Sequence, residues 1–151
     1  MGLLHVAIDP AARRFAYAVG KSSLLSCGYA EAAEEIPIPA DRAAWLVETP
    51  QKYDRFSVAH RDLDRLKATL ARIEQFAEDR GDTVKRVYPQ QWKGNVPKPV
   101  HHRRIVSTLS QEELDLLPDE IRADMAYSHD VYDAVALFLY QIGRVKRGGV
   151  R

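Results

Sequence analysis

Four acidic residues occupy positions from which their side chains could share a cation. Asp9 closes the apolar run within Leu3–Pro10, and Glu48 closes the next comparable run along the chain. Asp130 and Asp133 lie three residues apart where the final helical pattern starts, so both project from one face of its first turn. Carboxylates that converge repel one another unless a cation neutralises them.

The type of donor atom indicates which cation would bind. Carboxylate oxygens favour Mg²⁺, with Mn²⁺ as a substitute, over zinc. The single cysteine, Cys27, excludes a zinc site built from paired cysteines. Two Mg²⁺ ions roughly 4 Å apart would clamp a phosphodiester, one activating water and the other stabilising the leaving 3′ oxygen. The acid set therefore predicts metal-assisted phosphodiester hydrolysis.

Taken singly, each acid also has a structural explanation. Asp9 precedes a proline and can begin a turn, and Glu48 can be an exposed charge at a strand end. Asp130 and Asp133 suit a helix start, where acids at the cap and in the first turn are favoured. His129 is interpreted as a loop or supporting residue in preference to a catalytic one. The metal-site interpretation depends on the four acids together.

Five strands and four helices are predicted from the hydrophobic periodicity. The first three strands are short and separated by tight turns, which favours an antiparallel meander. Further strands and helices then give a mixed sheet with helices on its faces, an α/β architecture. The predicted strands are 3–9, 15–20, 23–31, 43–48 and 83–88, and the predicted helices are 57–80, 99–109, 111–117 and 130–145.

The predicted helix at 57–80 carries an apolar seam at alternating steps of four and three residues. Such a seam either packs on the sheet or forms an interface between subunits. Packing on the sheet is the commoner use, and the sequence leaves an interface role open.

A basic segment at 84–104 has six Lys or Arg residues, two histidines and no acid in 21 residues. Because the whole chain has a net charge of +1, the rest carries about five net negative charges. Its cations would contact DNA phosphates without reading bases, and Trp92 and Tyr88 would stack on an unpaired base. For Trp92 a place in the core is slightly favoured over stacking. The two arginines could form a solvated helix face, but the absence of acids favours DNA contact. The residues predicted to contact phosphate are Lys93, Lys98, His101, His102, Arg103 and Arg104.

Composition narrows the class of protein. A chain of 151 residues suits one domain, and 46% hydrophobic with 28% charged residues is typical of a soluble globular protein. We expect a cytoplasmic protein, since there is one cysteine, no signal peptide and no apolar run that could span a membrane. The basic, glycine-rich tail at 146–151 is predicted to be frayed.

Several motifs together resemble the RuvC-type Holliday junction resolvases of the ribonuclease H-like superfamily. The matching pieces are Val6–Pro10 on the first strand, Leu46–Glu48 on the fourth and Asp130–Ala134 on the last helix. The segment from Trp92 to Ile105 is similar to the shorter, phage-borne branch of that family. Each motif alone is common, whereas the ordered set spans almost the whole chain.

This resemblance implies a single ribonuclease H-like nuclease domain over residues 1–151. It makes Asp9, Glu48, Asp130 and Asp133 the catalytic acids that hold the metal ions. It also implies a homodimer that places two active sites on a four-way DNA junction and nicks opposed strands. The sequence does not indicate a helicase partner.

Two departures from the family pattern bear on junction selectivity. Family members usually have glycine after the Asp-Pro pair, whereas this chain has two alanines followed by Arg13 and Arg14, which we expect to face the DNA. Family members often carry an aromatic residue soon after the fourth-strand glutamate, where it stacks at the junction centre. The nearest candidate here is Tyr53.

Three functional hypotheses follow from the sequence. The first is a Mg²⁺-dependent endonuclease that resolves four-way junctions. The second keeps the fold and the metals but acts on RNA, single strands or other branched DNA. The third is a nucleic-acid-binding protein that has lost catalysis, and the intact acid set disfavours it, because a pure binder gains nothing from carboxylates beside phosphate.

Overall fold

The fold is described from a computed structural model, which describes residues 2–11, 14–49, 60–123 and 129–151. Within these ranges the chain forms five β-strands, six α-helices and two 3₁₀ turns, at Ala33–Glu35 and Arg147–Gly149. The strands are β1 (Leu4–Asp9), β2 (Phe15–Gly20), β3 (Leu24–Ala30), β4 (Ala43–Glu48) and β5 (Thr83–Val87). The helices are α1 (His60–Asp79), α2 (Pro89–Trp92), α3 (Lys98–Thr108), α4 (Gln111–Leu114), α5 (Asp119–Arg122) and α6 (Asp130–Gln141).

The predicted strands are all present, and each bound lies within one residue of its prediction. Helices α2 and α5, each a single turn, were not predicted, and the helix predicted at 111–117 is only the single turn α4. A single turn is too short for a periodic apolar pattern to define its presence or its end. Helix α6 ends at Gln141 instead of residue 145, since Gly143 takes a φ of +80° that terminates the helix. Residues 57–59 of the helix predicted at 57–80 lie outside the described residues.

The strands of the described residues form one mixed sheet in the order β3-β2-β1-β4-β5. Strands β1, β2 and β3 make the predicted antiparallel meander, whereas β4 is parallel to β1 and β5 is parallel to β4. The register pairs Ile8 with Val47, so Asp9 and Glu48 follow at the same end of adjacent parallel strands. This mixed sheet with flanking helices confirms the predicted α/β class.

Alternation along β1 and β4 sends their side chains to two different cores. Ile8 lies in the cluster that includes α1, whereas Ala7 lies in the cluster that includes α6. Asp9 is two residues beyond Ala7, and Glu48 is two residues beyond Leu46, which packs against the same cluster. Both acids therefore face the α6 side of the sheet.

Helix α6 is buried continuously over residues 131–139 and is the central helix of this core. Its sequence is apolar on every side, as expected for a helix enclosed by the sheet and by α3. Small side chains at Ala16 and Ala18 line the sheet beneath it. At Gly20 a Cβ would lie 2.5 Å from Phe138 Cζ, so the close packing of this ring requires glycine.

Helix α1 covers the other face of the sheet. Leu70, Ile73 and Ala77 of its apolar seam are buried in the core with Trp45. The described C-terminal half of the seam is therefore core and not a subunit interface. None of the helices in the described residues combines the length and apolar character that a membrane span requires.

The C-terminal residues 146–151 are packed, which corrects the prediction of a frayed tail. Arg104 Nη1 donates a hydrogen bond to Gly148 O at 3.1 Å, and Arg147 Nε donates to Gln90 O at 2.9 Å. Both glycines of the 3₁₀ turn are buried. The tail is held through backbone carbonyls, which its basic composition did not reveal.

Candidate active site

The candidate site lies at the edge of the sheet where β1 and β4 end. Asp9 is half-buried there, and Glu48 is 8% exposed. The carboxyl ends of parallel strands are where α/β proteins commonly build sites, because loops diverge there and leave a crevice. The placement of these two acids follows directly from strand alternation.

Helix α6 contributes the other two acids. Asp130 opens the helix with its side chain 44% exposed, and Asp133 follows one turn later with its side chain 3% exposed. Carboxylate oxygens of Asp9, Asp130 and Asp133 lie within 4.8 Å of one another. The structure thus brings together three acids that are more than 120 residues apart at the extremes.

Glu48 is held beside this group by Trp92, the last residue of α2, and by Lys93, which follows it. Trp92 Nε1 donates to Glu48 Oε2 at 3.0 Å, and Lys93 Nζ lies 3.2 Å from the same oxygen. Lys93 Nζ also lies 3.2 Å from Asp133 Oδ1. One ammonium group therefore bridges the strand acid and the helix acid.

Two side chains of α3 hold the acids of α6. His102 Nε2 lies 2.8 Å from Asp133 Oδ1, and an ionised carboxylate there accepts a hydrogen bond from the N–H of this nitrogen. Lys98 Nζ lies 2.7 Å from Asp130 Oδ1 and 3.5 Å from Asp133 Oδ2. Helix α3 thus supplies donors to both acids of α6.

Tyr29 on β3 fixes the start of α6, a role that the sequence analysis missed. The Asp130 backbone N–H donates to Tyr29 Oη at 3.2 Å, and His129 Nδ1 lies 3.5 Å from that oxygen. The guanidinium of Arg14 lies over the Tyr29 ring, 3.7 Å from its centroid. A tyrosine in a strand carries no sequence signal for such a contact, because its partner is 101 residues away.

The electrostatics divide the acids into two kinds. Burial raises the pKa of Asp9 well above its ordinary value, and the charges of Glu48 and Asp133 raise it further. Burial also raises the pKa of Glu48, although Lys93 and the hydrogen bond from Trp92 counteract it. Without a cation, these two carboxylates are the ones that most resist ionisation.

Asp133 is the opposite case. Burial opposes its ionisation, but the hydrogen bond from His102 and the charges of Lys93 and Lys98 hold its pKa well below the ordinary value. Burial likewise opposes the charge on Lys93, and the surrounding acids, Asp133 first, keep its pKa above the ordinary value. The site therefore contains a firmly ionised carboxylate paired with a firmly protonated lysine.

These acids suit a hard divalent cation. The group of Asp9, Asp130 and Asp133 offers only carboxylate oxygens, which Mg²⁺ and Mn²⁺ prefer. Burial first, and then the neighbouring acids, raise the pKa of Asp9, and a cation would stabilise its ionised form. The donor chemistry and the placement both fit a metal ion at this point.

A second group of possible metal donors borders the first. His101, His102 and Asp133 are buried, with donor atoms within 4.8 Å of one another. Burial lowers the pKa of His101 to about 4, so its ring is neutral at neutral pH. Because Asp133 belongs to both groups, they form one continuous site.

Burial corrects three of the predicted nucleic-acid contacts. Trp92 is 1% exposed and offers no free face for stacking on a base; it packs against His101 and holds Glu48. His101 and His102 are 2% and 0% exposed, so neither reaches a phosphate at the surface. Both histidines were predicted to be at the surface because they lie in a basic segment, and charge counts do not distinguish an inward from an outward side chain.

The other residues predicted to contact nucleic acid differ in their exposure and in their neighbours. Arg103 and Arg104 are exposed on α3, and Tyr88 is 47% exposed beside α2. Lys93 and Lys98 lie against the acids, with a cavity of about 220 Å³ opening beside them. Of the remaining predicted contacts, Arg14 lies over Tyr29, while Arg13 and Tyr53 lie outside the described residues.

Comparison with known proteins bears on the fold. No family model and no curated protein matches the chain. Among solved structures, T. thermophilus RuvC in complex with a Holliday junction substrate aligns over 96% of this chain and 98% of its own, with a TM-score of 0.59 and 15% identity. A second Thermus thermophilus RuvC structure aligns over 95% and 99%, with a TM-score of 0.45 and 17% identity.

The first of these similarities shows that the chain has a RuvC-like, ribonuclease H-like fold. This result confirms the fold predicted from the resemblance. At 15% identity the similarity extends to the fold alone, so the chemistry has to be argued from the side chains at the sheet edge.

Proposed function

We propose that this protein is a metal-dependent endonuclease that cuts branched DNA, with four-way junctions as its substrate. The observation that carries this proposal is the convergence of the Asp9, Asp130 and Asp133 carboxylates at the open edge of a RuvC-like sheet. Glu48 lies beside them, joined to Asp133 through Lys93. Four carboxylates supply the oxygen ligands that Mg²⁺ and Mn²⁺ prefer, and such ions assist phosphodiester hydrolysis.

Asp9, Asp130 and Asp133 would hold the first Mg²⁺, and Glu48 with Asp133 would hold a second. Bound Mg²⁺ supplies an activated water and stabilises the leaving 3′ oxygen, and Mn²⁺ would do the same. The protein's own contribution is to fix the carboxylates beforehand. Trp92 holds Glu48, and His102 holds Asp133, so neither acid needs to reorganise.

The surface around the site suits a nucleic acid backbone. Lys98 is 45% exposed at the mouth of the site, and the exposed Arg103 and Arg104 lie further along the same helix. Tyr88 is the exposed aromatic ring nearest to this region in the chain. Backbone phosphates would meet the cations, while an unpaired base at a branch would stack on the tyrosine.

Four-way junctions are the substrate we favour, because the similar RuvC structure is a complex with a Holliday junction substrate. A homodimer would present two such sites to opposed strands of one junction. If the protein cut only one strand, without two-fold symmetry, its substrate would instead be RNA, single strands or simpler branches.

The alternative, a DNA-binding protein that has lost catalysis, explains the acidic residues less well. Burial and the neighbouring acids raise the pKa of Asp9, so an ionised carboxylate at this position destabilises the fold. A protein that only binds DNA gains nothing from a crowded carboxylate next to phosphate. A resident cation gives that arrangement a use.

Cleavage of a labelled four-way junction in Mg²⁺ or Mn²⁺ tests the proposal. We expect paired nicks from the wild-type protein and a loss of at least about 100-fold in rate for Asp9→Asn, since one metal ligand is removed. Asp64→Asn, an exposed acid on α1, is the matched control and should cut normally.

Two results would contradict the proposal. One is absence of cleavage by the wild-type protein on four-way junctions, three-way junctions, flaps, single strands and RNA alike. The other is undiminished cleavage by Asp9→Asn. Preference for a substrate other than the junction would retain the metal-dependent nuclease and replace its substrate.

A further inference from the structure

Lys93 occupies the place of a cation within the acid group. Its Nζ lies 3.2 Å from Glu48 Oε2 and 3.2 Å from Asp133 Oδ1. Its side chain is 24% exposed, whereas those of Glu48 and Asp133 are 11% and 3% exposed. The ammonium is therefore a shared counter-charge for two buried carboxylates and reduces the repulsion between them.

The other end of the site is arranged differently. Asp9, Asp130 and Asp133 bring their oxygens within 4.8 Å of one another, and Glu48 is not part of that group among the described residues. Lys98 pairs with Asp130 there, but its side chain is 45% exposed. An exposed lysine loses little when it returns to water, so an entering ion displaces it at small cost.

Displacing Lys93 from its position costs more free energy than displacing Lys98. Its departure leaves Glu48 and Asp133 without their shared counter-charge in a buried place. A divalent ion arriving at this end must both displace the ammonium and let it reach solvent through the cavity beside Gly94 and Lys98. The two ends of the site therefore differ in how readily they accept an ion.

We propose that Lys93 serves as a built-in cation at the Glu48–Asp133 position, so that the protein without nucleic acid binds a single divalent ion, at Asp9, Asp130 and Asp133. This inference deepens the proposed function and rests on it. Lys93 is then a positioning residue that sets the number of metal ions. It is also a different assignment from the phosphate contact predicted from the sequence.

Calorimetric titration of Mn²⁺ into the DNA-free protein measures that number. We expect one ion per chain for the wild type and two for Lys93→Met, with the added ion binding at least about tenfold more tightly than any second ion on the wild type. Lys98→Met should strengthen binding of the first ion without adding another. Lys67→Met, an exposed lysine on α1, should bind as the wild type does.

A second variant guards against misfolding of Lys93→Met, which leaves two buried acids without their shared counter-charge. Lys93→Gln keeps hydrogen-bond donors near both carboxylates but carries no charge, so it too should bind two ions. Both variants should gain more in Tm from Mn²⁺ than the wild type does, because binding to the folded state alone stabilises it.

The outcomes separate this inference from the proposed function. Two ions on the wild type, or one ion on a folded Lys93→Gln, would overturn the role of Lys93 and leave the nuclease intact. Absence of Mn²⁺ binding by the wild type and both Lys93 variants would contradict the metal site itself.

Discussion

Among the acids of the site, Asp9 is the one whose charge the fold stabilises least when no metal is bound. Glu48 accepts a hydrogen bond from Trp92, and Asp133 faces His102 and two lysines. Asp9 instead has a pKa raised by burial first and then by Glu48 and Asp133. A raised carboxyl pKa means that the ionised form is destabilised in the folded state, and this penalty grows as the pH rises above the ordinary pKa.

Replacing Asp9 with asparagine should therefore stabilise the protein when no metal is bound. In EDTA at neutral pH we expect Asp9→Asn to have a higher Tm than the wild type, and to lose the Tm increase that we expect Mn²⁺ to give the wild type. Thermal unfolding with and without Mn²⁺ measures both effects. A lower Tm than the wild type in EDTA would show that Asp9 is a structural residue, with Asp64→Asn as the reference for a surface change.

The convergence of the acids could be predicted from the sequence, whereas the residues that hold them could not. Asp9 and Glu48 end apolar strands, and the periodicity of α6 places Asp130 and Asp133 on one turn, so simple geometric rules are sufficient. Trp92 is one aromatic residue in a polar segment, and only the packed tertiary structure shows that its ring is buried. Its hydrogen bond to an acid 44 residues earlier follows from that packing.

At the scale of elements, Glu113 connects parts of the chain that surround the α6 core. It accepts hydrogen bonds from the Leu24 backbone N–H at 2.8 Å and from Arg144 at 2.6 Å. It also accepts one from the backbone N–H of Ser110, which caps α4. Although burial opposes ionisation, the hydrogen bonds from Arg144, Leu24 and Ser110 lower the pKa of Glu113 to about 2.

This lowered pKa gives a pH-dependent contribution to stability. A carboxyl with a lowered folded-state pKa stabilises the fold above its ordinary pKa of 4.5, and the contribution is lost as the pH falls towards 2. Glu113→Gln should therefore lose about 2 to 3 kcal/mol at neutral pH, and the difference from the wild type should shrink towards pH 2. Urea unfolding across this range is the measurement.

The control for this prediction is Glu112→Gln, because Glu112 is the exposed neighbour on the same helix. It should change stability by less than about 0.5 kcal/mol at every pH. A deficit for Glu113→Gln that is equally large at neutral and acidic pH would contradict the assigned role of its charge.

Helix α3 has two chemically different sides. Its inward side chains, His102 and Ile105, contact the site and the core, whereas Arg103 and Arg104 are exposed. The sequence predicted this helix but not which of its polar residues point inward, since its apolar pattern is weak. These two exposed arginines are the α3 side chains that we propose to contact phosphate.

Changing this exposed pair should weaken DNA binding without removing the metal site. We expect Arg103→Gln with Arg104→Gln to reduce the slope of log affinity against log salt by about 1 to 2, as for one or two lost phosphate contacts. Binding is measured in EDTA to prevent cleavage. Arg65→Gln with Lys67→Gln removes the same charge from α1, which covers the other side of the sheet. Equal losses from both pairs would indicate a nonspecific charge effect and contradict a site on α3.

At the scale of the whole molecule, the sheet supplies two acids and α6 supplies two more. Strands β1 and β4 end together, and α6 crosses the same face with its first turn at that edge. Helices α2 and α3 then bring donors to these acids. The order of the elements was readable from hydrophobic patterns, but the approach of α2 and α3 depends on tertiary packing that no local pattern encodes.

The central claim is that this edge binds a divalent metal ion. Diffraction from crystals soaked in Mn²⁺, recorded to reveal its anomalous signal, tests the claim most directly. We expect a Mn²⁺ peak coordinated by Asp9, Asp130 and Asp133, and its loss in Asp9→Asn. A map with no peak at these three carboxylates, or with Mn²⁺ bound only elsewhere on the protein, would contradict it.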